Sequence, residues 1–362
     1  MTRILSDPDI DRNCSQLIES RGFVSESHDI ITEDGYIITI FRIINSHRNR
    51  STHQYPVYIQ HGFFQNSDNW LIASNGFIDN NGIYREDNSI VNDCKNLDSV
   101  GQTLPFVLSS CGYDVWLGNI RGNNYSSHIT LNPNETEFWN FSMDEFTKYD
   151  ITTAIDHVLR VTNSNNIAYI GYSLGTTIMF QLLASKPIYS KIIKPFISLG
   201  PFVYLGHIRS PLLRATMIFQ SFLISKPKPM GRLGSLSSLI GRYFCGFTYF
   251  KELCIIFGFL FGGFDYQQLN RTQIPRLFGH FPDGSSSIAL SHVVQRIESQ
   301  NFSYYNYNTS EANMRAYKQS FAPNYNISNI DSQNIVIMTG LNDWIADPID
   351  VNILINRLNG IY

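Results

Sequence analysis

Short apolar runs alternate with helical patterns along most of the chain. Residues 144–159 place apolar side chains three and four positions apart, which predicts a helix, and residues 176–185 predict another. The runs with the length and content of buried strands are residues 56–61, 113–117, 167–170, 193–199 and 335–338. Strands and helices that alternate in this way are typical of a parallel sheet with crossover helices, so the pattern predicts an α/β fold.

The alternation stops at residues 202–308, where stretches such as 253–261 are aromatic, interrupted by glycine and mostly helical. We interpret 202–308 as a helical cap inserted into one α/β core. The first part of that core is then 1–201, and the second part is 309–362. The polar, Asn- and Asp-rich stretch 79–101 predicts a surface loop insertion.

Composition and charge narrow the class of protein. Hydrophobic residues make up 43% of the 362 residues, which suffices for a large core and excludes a mostly disordered chain. A net charge of −3 gives no electrostatic basis for binding nucleic acid. The longest uncharged apolar stretch, 254–264, is shorter than the roughly 18 residues that a spanning helix needs, so we expect no membrane span. No group of His, Cys and Asp has metal-ligand spacing, so we expect neither a metal nor an organic cofactor.

A G-x-S-x-G motif at residues 171–175 lies between a predicted buried strand and a predicted helix. In that context a sharp turn exposes the serine hydroxyl at the carboxyl edge of the sheet, which makes Ser173 the candidate nucleophile for acyl transfer. The two glycines suit a turn that neighbouring backbone crowds. The alternative is a serine that only caps the following helix, and we favour the nucleophile.

Acyl transfer also needs N–H donors for the tetrahedral oxyanion. One donor in such an architecture is the backbone N–H after the nucleophile, here Leu174, and the other comes from the loop after an early strand. The segment 61–64 lies in that place, which nominates the N–H of Phe63. We interpret His61 as a core histidine bonded to backbone rather than as a catalytic group.

The carboxylate of a catalytic triad is expected after the last predicted strand. Asp347 precedes Pro348 and has the pattern of a helix N-cap. Asp343, in the turn after the strand, is therefore the better candidate for the triad acid. The alternative interpretation of Asp343 is a turn residue that bonds only to its own backbone.

The base that should deprotonate the serine is missing from the expected place. A triad in this order ends with a histidine, but none follows Asp343. His280 or His292 could replace it only if the cap placed one of them beside Ser173. Loss of the base costs a serine protease about 10⁶-fold in turnover, although its oxyanion hole retains roughly 10³–10⁴-fold over water.

Five cysteines are too few for a disulfide scaffold, and an odd number leaves at least one thiol free. Cys245 and Cys254 enclose a short loop and could pair, but separate buried thiols fit that spacing about equally well. Asn-x-Ser/Thr triplets begin at Asn134 and Asn308. They carry little weight in a chain rich in Asn and Ser.

Over nearly its whole length the sequence resembles the acid lipase family, the α/β-hydrolases that include gastric lipase and lysosomal acid lipase. The most specific segment is 113–123, which reads YDVWLGNIRGN, and the motif at 171–175 completes the series. The other segments that carry the resemblance are residues 31–36, 61–63, 69–70, 137–142, 148–150 and 342–347. The first Asp of the last segment, Asp343, is the position of the family's triad acid.

The resemblance implies an α/β-hydrolase fold whose cap acts as a lid over an acyl-binding cleft. It implies hydrolysis of triacylglycerol or cholesteryl ester through an acyl-enzyme on Ser173, at a lipid–water interface. The spacing of Cys245 and Cys254 is similar to that of the family's single disulfide. A secreted or lysosomal glycoprotein is therefore expected on this basis.

Three departures from the family pattern qualify these expectations. The matching region starts almost at residue 1, and the first residues contain no signal-peptide pattern, which taken literally predicts a cytoplasmic protein. The chain ends before the family's final strand and histidine loop, so both ends suggest an incomplete product or gene model. The insertion at 79–101 has no counterpart in the family. The alternatives that stay open are a catalytically impaired, lipid-binding homologue and an esterase for short, soluble esters.

Overall fold

A computed structural model of the chain describes residues 7–47, 54–86, 90–91, 101–219 and 226–358. Its strands, numbered in chain order, are β1 (Val24–Ile31), β2 (Tyr36–Ile44), β3 (Pro56–Gln60), β4 (Gly76–Ile78), β5 (Tyr84–Glu86), β6 (Ile90–Val91), β7 (Asp114–Leu117), β8 (Ser126–His128), β9 (Ile167–Tyr172), β10 (Ile193–Leu199), β11 (Pro229–Met230), β12 (Ser285–Ser286) and β13 (Ile335–Met338). Its α-helices of five or more residues are α1 (Cys14–Ser20), α2 (Leu104–Ser110), α3 (Thr152–Thr162), α4 (Leu174–Ser185), α5 (Pro211–Ile218), α6 (Ser235–Leu239), α7 (Thr248–Gly262), α8 (Ile274–His280), α9 (Ser287–Ser299), α10 (Ser310–Tyr317) and α11 (Pro348–Arg357).

The main sheet has the strand order β1-β2-β7-β3-β9-β10-β13, with β8 paired to β2. From β7 to β13 neighbouring strands run parallel, as the apolar runs predict. These strands lie within two residues of the predicted bounds at either end. The first two strands add an antiparallel edge that the apolar runs did not indicate. The sheet is therefore mixed but mostly parallel.

Alternation along the central strands divides the core into two apolar layers. Tyr58 and Tyr169 point to the layer that contains α3 and α4. Val57 and Ala168, one position away on the same strands, point to the layer that contains α1 and α2. Because both faces of β3 and β9 are buried along most of their length, these strands are mostly apolar rather than alternately polar, with Gln60 the polar exception.

The hairpin between β1 and β2 closes at an Asp-Gly pair. Gly35 has φ +93°, and a Cβ built on it would lie 2.9 Å from the His128 ring, so only glycine fits there without strain. The N–H of Thr32 donates to the carbonyl of Tyr36 across the turn (2.8 Å). Asp34-Gly35 ahead of an apolar run is a recognised hairpin signal, so the sequence did contain a pointer to this pair.

A buried ion cluster joins this hairpin to the helix before the nucleophile. Arg121, which is 1% exposed, pairs with Asp150 (2.7 Å) and Asp34 (2.5 Å). Asp150 lies in a π-helical turn, Phe146–Ile151, that continues into α3. Burial raises the pKa of Asp150 to about 6, while the charge of Arg121 favours the ionised form. Two segments of the family resemblance, 113–123 and 148–150, therefore meet in one structural cluster.

Between β10 and β13 the chain forms α5 to α10 and the two-stranded ribbon of β11 and β12. The division into a core and a cap stays a prediction. The Cys245–Cys254 disulfide is confirmed, Cys111 is also disulfide-bonded, and Cys14 is a buried free thiol. Among the residues that the structure describes, none of the helices is both long and apolar enough to span a bilayer.

The described part of the stretch 79–101 differs from the predicted surface loop. Here β5 forms a three-stranded sheet with β4 and β6. Tyr84 is fully buried, with its ring 5.1 Å from that of Phe106. One aromatic side chain thus anchors a segment whose overall polarity predicted solvent exposure. Residues 87–89 and 92–100 lie outside the described residues.

Candidate active site

Ser173 lies in the turn between β9 and α4. Its φ of +52° and ψ of −113° are strained for a residue that carries a side chain. The N–H of Ser173 donates to the carbonyl of Leu199 (3.0 Å), and its carbonyl accepts from the N–H of Thr176 (2.9 Å). Its side chain makes no capping hydrogen bond to α4, so the helix-capping alternative finds no support in this geometry. The hydroxyl is left at the carboxyl edge of the sheet.

Both glycines of the motif are required by close backbone approach. A Cβ on Gly171 would lie 2.8 Å from the carbonyl carbon of Gly175. A Cβ on Gly175 would lie 2.7 Å from the carbonyl oxygen of Gln60, on the neighbouring strand β3. Real Cβ atoms do not approach backbone so closely, so the turn can pack against β3 only with glycine at these positions. The crowding that the motif predicts is confirmed.

The loop after β3 contacts the serine. A Cβ on Gly62 would lie 3.2 Å from the Cβ of Ser173, and the N–H of Gly62 donates to Oε1 of Gln65 (2.9 Å). Phe63, the next residue, borders the same cavity as Ser173. Leu174 is the first residue of α4, where a helix has no internal acceptor for its N–H. The two predicted oxyanion donors thus belong to segments that flank the serine.

His61 is a core histidine, as predicted. Its side chain is buried, and Nδ1 lies 2.8 Å from the carbonyl oxygen of Gly62. Nε2 lies 3.4 Å from the side-chain nitrogen of Asn123. Burial lowers the pKa of His61 to about 4, so the ring is neutral at physiological pH. With Nδ1 donating to the Gly62 carbonyl, the ring helps to shape the loop that carries the predicted oxyanion donor.

Asp343 follows β13 and borders the same cavity as Ser173. Its Oδ1 accepts the N–H groups of Ile345 (2.8 Å) and Ala346 (2.9 Å), which is the turn bonding of the alternative interpretation. The other oxygen, Oδ2, lies on the side of Gly200, where a Cβ would be 3.6 Å away. One oxygen therefore fixes the carboxylate while the other faces toward the cavity wall. Asp347 caps α11 through the N–H of Ile349, as predicted.

Neither candidate histidine of the 202–308 segment borders this cavity. His280 places Nδ1 3.1 Å from Oδ2 of Asp68 and Nε2 2.7 Å from the carbonyl of Asp9, so both ring nitrogens are occupied. His292 is completely buried and bonds through Nε2 to the carbonyl of Ser303 (3.0 Å). Burial, with Arg296 nearby, holds the pKa of His292 well below its usual range. Among the described residues, no histidine is placed to deprotonate Ser173.

The cavity beside the serine is mainly apolar. Sequence reasoning placed three of its residues, Phe63, Ser173 and Asp343. It missed the apolar wall, which comes from segments far apart in the chain: Phe202, Leu213, Phe261, Phe281, Leu290 and Val293. The only sequence signal for these residues is the aromatic character of residues 202–308, which does not say which rings turn inward.

Helix α7 ends against the turn that carries Asp343. The carbonyl of Gly262 accepts the N–H of Trp344 (3.1 Å), and the side chain of Asn342 donates to the carbonyl of Phe264 (2.6 Å). Gly263 has φ +113°, and a Cβ there would lie 2.4 Å from the carbonyl of Asn342. The end of α7 and the Asp343 turn therefore form one hydrogen-bonded unit.

The sheet, the strained serine turn and the adjoining loop define an α/β-hydrolase. Comparison with known families agrees: the model described as "alpha/beta hydrolase fold" matches residues 94–360, and the one described as "Partial alpha/beta-hydrolase lipase region" matches residues 14–74. The predicted fold class is confirmed.

Within that class the chain belongs to the acid lipase family. It is 34% identical to human lipase member J over 97% of this chain and 90% of that protein. It is 32% identical to human lysosomal acid lipase/cholesteryl ester hydrolase and 33% identical to mouse gastric triacylglycerol lipase. These matches cover 98% and 97% of this chain and 84% of each relative. The predicted class of enzyme, a serine-type carboxylic ester hydrolase, is thereby confirmed.

Proposed function

We propose that the protein is a lipase that hydrolyses carboxylic esters of neutral lipids, triacylglycerol or cholesteryl ester, through an acyl-enzyme on Ser173. The observation that carries the proposal is a single, mainly apolar cavity bordered by Ser173 and Asp343 together. An apolar wall suits an acyl chain, and a strained, half-buried serine at the cavity suits attack on its ester carbonyl. The names of two relatives, which specify cholesteryl ester and triacylglycerol, support the same substrates.

Each residue has one role in the proposed reaction. The hydroxyl oxygen of Ser173 attacks the ester carbonyl, its proton passes through a base to the leaving alcohol, and water later releases the fatty acid. The N–H groups of Phe63 and Leu174 stabilise the oxyanion. Asp343, fixed through Oδ1, orients the imidazole that serves as base. None of the described histidines supplies that imidazole.

The lipid–water interface is proposed as the place of action because residues 202–308, the proposed lid, expose an apolar surface. Along α7 the large side chains Tyr249, Phe250, Leu253, Ile256 and Phe257 are all exposed. Clustered aromatic and aliphatic side chains favour partition into a lipid surface. The cavity residue Phe261 lies on the same helix, so the surface and the cleft share one element.

A secreted or lysosomal location is proposed from the relatives, whose names include the words lysosomal and gastric. The Cys245–Cys254 disulfide and the disulfide-bonded state of Cys111 fit an oxidising compartment, because such bonds are rare in the cytosol. Asn134 and Asn308 are both exposed, so the two glycosylation triplets are accessible. Mass spectrometry of protein secreted from eukaryotic cells tests this, since unmodified Asn134 and Asn308 would remove the support from glycosylation.

Imidazole rescue tests the proposed chemistry on the 362-residue chain. With a soluble p-nitrophenyl ester we expect slow turnover that rises at least about tenfold, and saturably, when imidazole supplies the base. Ser173→Ala should lose this increase and so reports the background reaction of imidazole with the ester. Asp343→Asn should weaken the rescue. Equal rates for the wild type and Ser173→Ala would refute a serine mechanism for this chain.

The second candidate function is non-catalytic lipid binding. It is favoured because none of the described histidines is placed to act on Ser173. A fluorophosphonate probe separates the two functions. The lipase predicts labelling of Ser173 that imidazole accelerates. The binder predicts no labelling under either condition, together with saturable binding of a fatty acid that a bulky Phe202→Trp substitution in the cavity weakens.

A further inference from the structure

A second cavity, of about 420 Å³, lies away from the serine. It is bordered by Ser185 and Lys186 at the C-terminal end of α4, whereas Ser173 precedes the first residue of that helix. Twelve helical residues span about 18 Å, so the two cavities are separate sites. We call this second one the tyrosine cavity, because Tyr304, Tyr307, Tyr317 and Tyr325 border it.

The four rings form a continuous aromatic wall. Tyr304 stacks on Tyr325 with ring centroids 3.8 Å apart and meets Tyr317 at 5.7 Å. Tyr307 extends the wall, 5.9 Å from Tyr317. Proteins commonly bind a quaternary ammonium group among several aromatic rings that border one space.

Hydrogen bonds hold the wall in place, and Asp144, which also borders the cavity, accepts two of them. The hydroxyl of Tyr325 donates to Oδ1 of Asp144 (2.8 Å), and the hydroxyl of Tyr317 donates to the carbonyl of Tyr305 (2.7 Å). The N–H of Tyr305 donates to Oδ2 of Asp144 (2.8 Å). The rings are therefore positioned before any ligand arrives, which lowers the entropic cost of binding.

Charges of opposite sign lie at different depths around the cavity. Glu145 borders it and is partly buried; its Oε2 accepts the N–H of Ser142 (2.7 Å) in a helix cap. Lys148 and Lys186 also border the cavity, but both are exposed, at its rim. A bare cation would be attracted by the rings and Glu145 but repelled by the rim. A ligand with a cationic end inside and an anionic end at the rim satisfies both.

We propose that the tyrosine cavity binds a small zwitterion that joins a quaternary ammonium group to an anionic group, of the phosphocholine type. The ammonium group lies among the tyrosine rings near Glu145, and the phosphate lies against the ammonium group of Lys186. Nothing in this binding requires Ser173 or the cavity beside it. The same chemistry occurs in a free solute and in a phospholipid headgroup, and the test distinguishes these sources.

Isothermal titration of the intact chain with phosphocholine tests the proposal. We expect one saturable site, weaker binding of tetramethylammonium, and no saturable binding of inorganic phosphate alone. Co-sedimentation with dioleoylphosphatidylcholine vesicles, with and without competing phosphocholine, distinguishes the sources. Displacement by phosphocholine assigns the site to headgroups, whereas solute binding without such displacement assigns it to a free ligand.

Matched variants locate the site. Tyr307→Ala should weaken phosphocholine binding at least about fivefold. Glu145→Gln keeps the helix cap, since glutamine also accepts the Ser142 N–H. It should weaken the binding of phosphocholine and of tetramethylammonium to a similar degree. Lys186→Gln should weaken the binding of phosphocholine and leave the binding of tetramethylammonium unchanged. Tyr113→Ala, which removes an exposed tyrosine just before β7, serves as the control and should change neither affinity.

Two results would overturn the proposal. One is the absence of saturable phosphocholine binding at millimolar concentrations to protein whose melting temperature shows that it is folded. The other is wild-type affinity in both Tyr307→Ala and Glu145→Gln, since the ligand would then lie elsewhere. Neither result bears on ester hydrolysis, because Ser173 takes no part in the site.

Discussion

Helices α4 and α7 have similarly apolar sequences and opposite surroundings. In α4 every residue from Leu174 to Ala184 is buried, and the helix packs against β9 and the π-helical turn Phe146–Ile151. In α7 only Cys254, Ile255 and Phe259 are buried, and the outer face carries large exposed side chains. Apolar content therefore predicted two helices but not their environments. A helix that is apolar all round belongs in a core, unless its exposed face serves to bind something.

The largest difference between the two helices should appear on removing one aromatic ring from each. Phe180 in α4 is fully buried, with its ring 4.9 Å from that of Phe196, so Phe180→Ala should lower the free energy of unfolding by about 3–5 kcal/mol. Tyr249 on α7 is 88% exposed, so Tyr249→Ala should change it by less than about 0.5 kcal/mol. Urea denaturation measures both, and similar losses would show that α7 is packed as tightly as α4.

A glycine-to-alanine change should have opposite signs in the two helices. In α4, Gly175→Ala places a Cβ 2.7 Å from backbone and should destabilise the protein by about 1–3 kcal/mol. In α7, Gly258 has no atom within 4 Å of its Cβ position, so Gly258→Ala should stabilise the helix by about 0.5–1 kcal/mol. Thermal unfolding measures both, and loss of stability in Gly258→Ala would mean that the outer face of α7 is covered in solution.

Binding to a lipid surface should depend on α7 and not on exposed apolar residues elsewhere. The double variant Tyr249→Ser, Leu253→Ser should weaken partition onto trioleoylglycerol droplets about tenfold, because two exposed apolar side chains leave the contact. The double variant Ile31→Ser, Ile129→Ser provides the control, because it removes two exposed apolar side chains that lie outside residues 202–308. Equal weakening by both pairs would show that adsorption is unspecific.

The smallest expected effect is a pH-dependent change in stability that arises at His280 on α8. This helix contacts α7 through the rings of Phe278 and Phe257. Burial disfavours the charged His280 ring, but Asp68 outweighs this and raises the pKa of His280. This stabilisation is complete below the unfolded pKa of about 6.5 and is lost as pH rises through the raised folded value. The melting-temperature gap between wild type and His280→Asn should therefore narrow from pH 5 to pH 8.5. A gap that stays constant with pH would exclude the ion pair.

The parallel strands could be predicted because their environment leaves a simple trace in sequence. A strand such as β9, covered on both faces along most of its length, is a continuous apolar run, and Gly171 marks its C-terminal end. Strand β1 is different, since it forms the sheet edge and mixes exposed and half-buried residues. The only sequence signal for its pairing with β2 is the Asp34-Gly35 turn between the two strands. Edge strands of this kind are specified by pairing with a neighbour more than by their own pattern.

The candidate site divides in the same way. Ser173, Phe63 and Asp343 could be placed from sequence because each follows a strand, and parallel strands bring their carboxyl ends to one edge of the sheet. The rings of Phe261 and Phe281 could not, because their position depends on how α7 and α8 pack. The two interpretations of Asp343 were not exclusive, since one oxygen bonds the turn and the other remains for the cavity.

The hydrogen bond between the carbonyl of Gly262 and the N–H of Trp344 connects the end of α7 to the turn that carries Asp343, so the two segments move together. Phe261, next to Gly262 in the chain, borders the cavity, so a displacement of α7 that widens the cavity also moves the backbone next to the Asp343 carboxylate. Access to the cleft is therefore coupled to the position of Asp343, the proposed triad acid. A side chain at Gly263 would disturb this contact, because a Cβ there would clash with the carbonyl oxygen of Asn342.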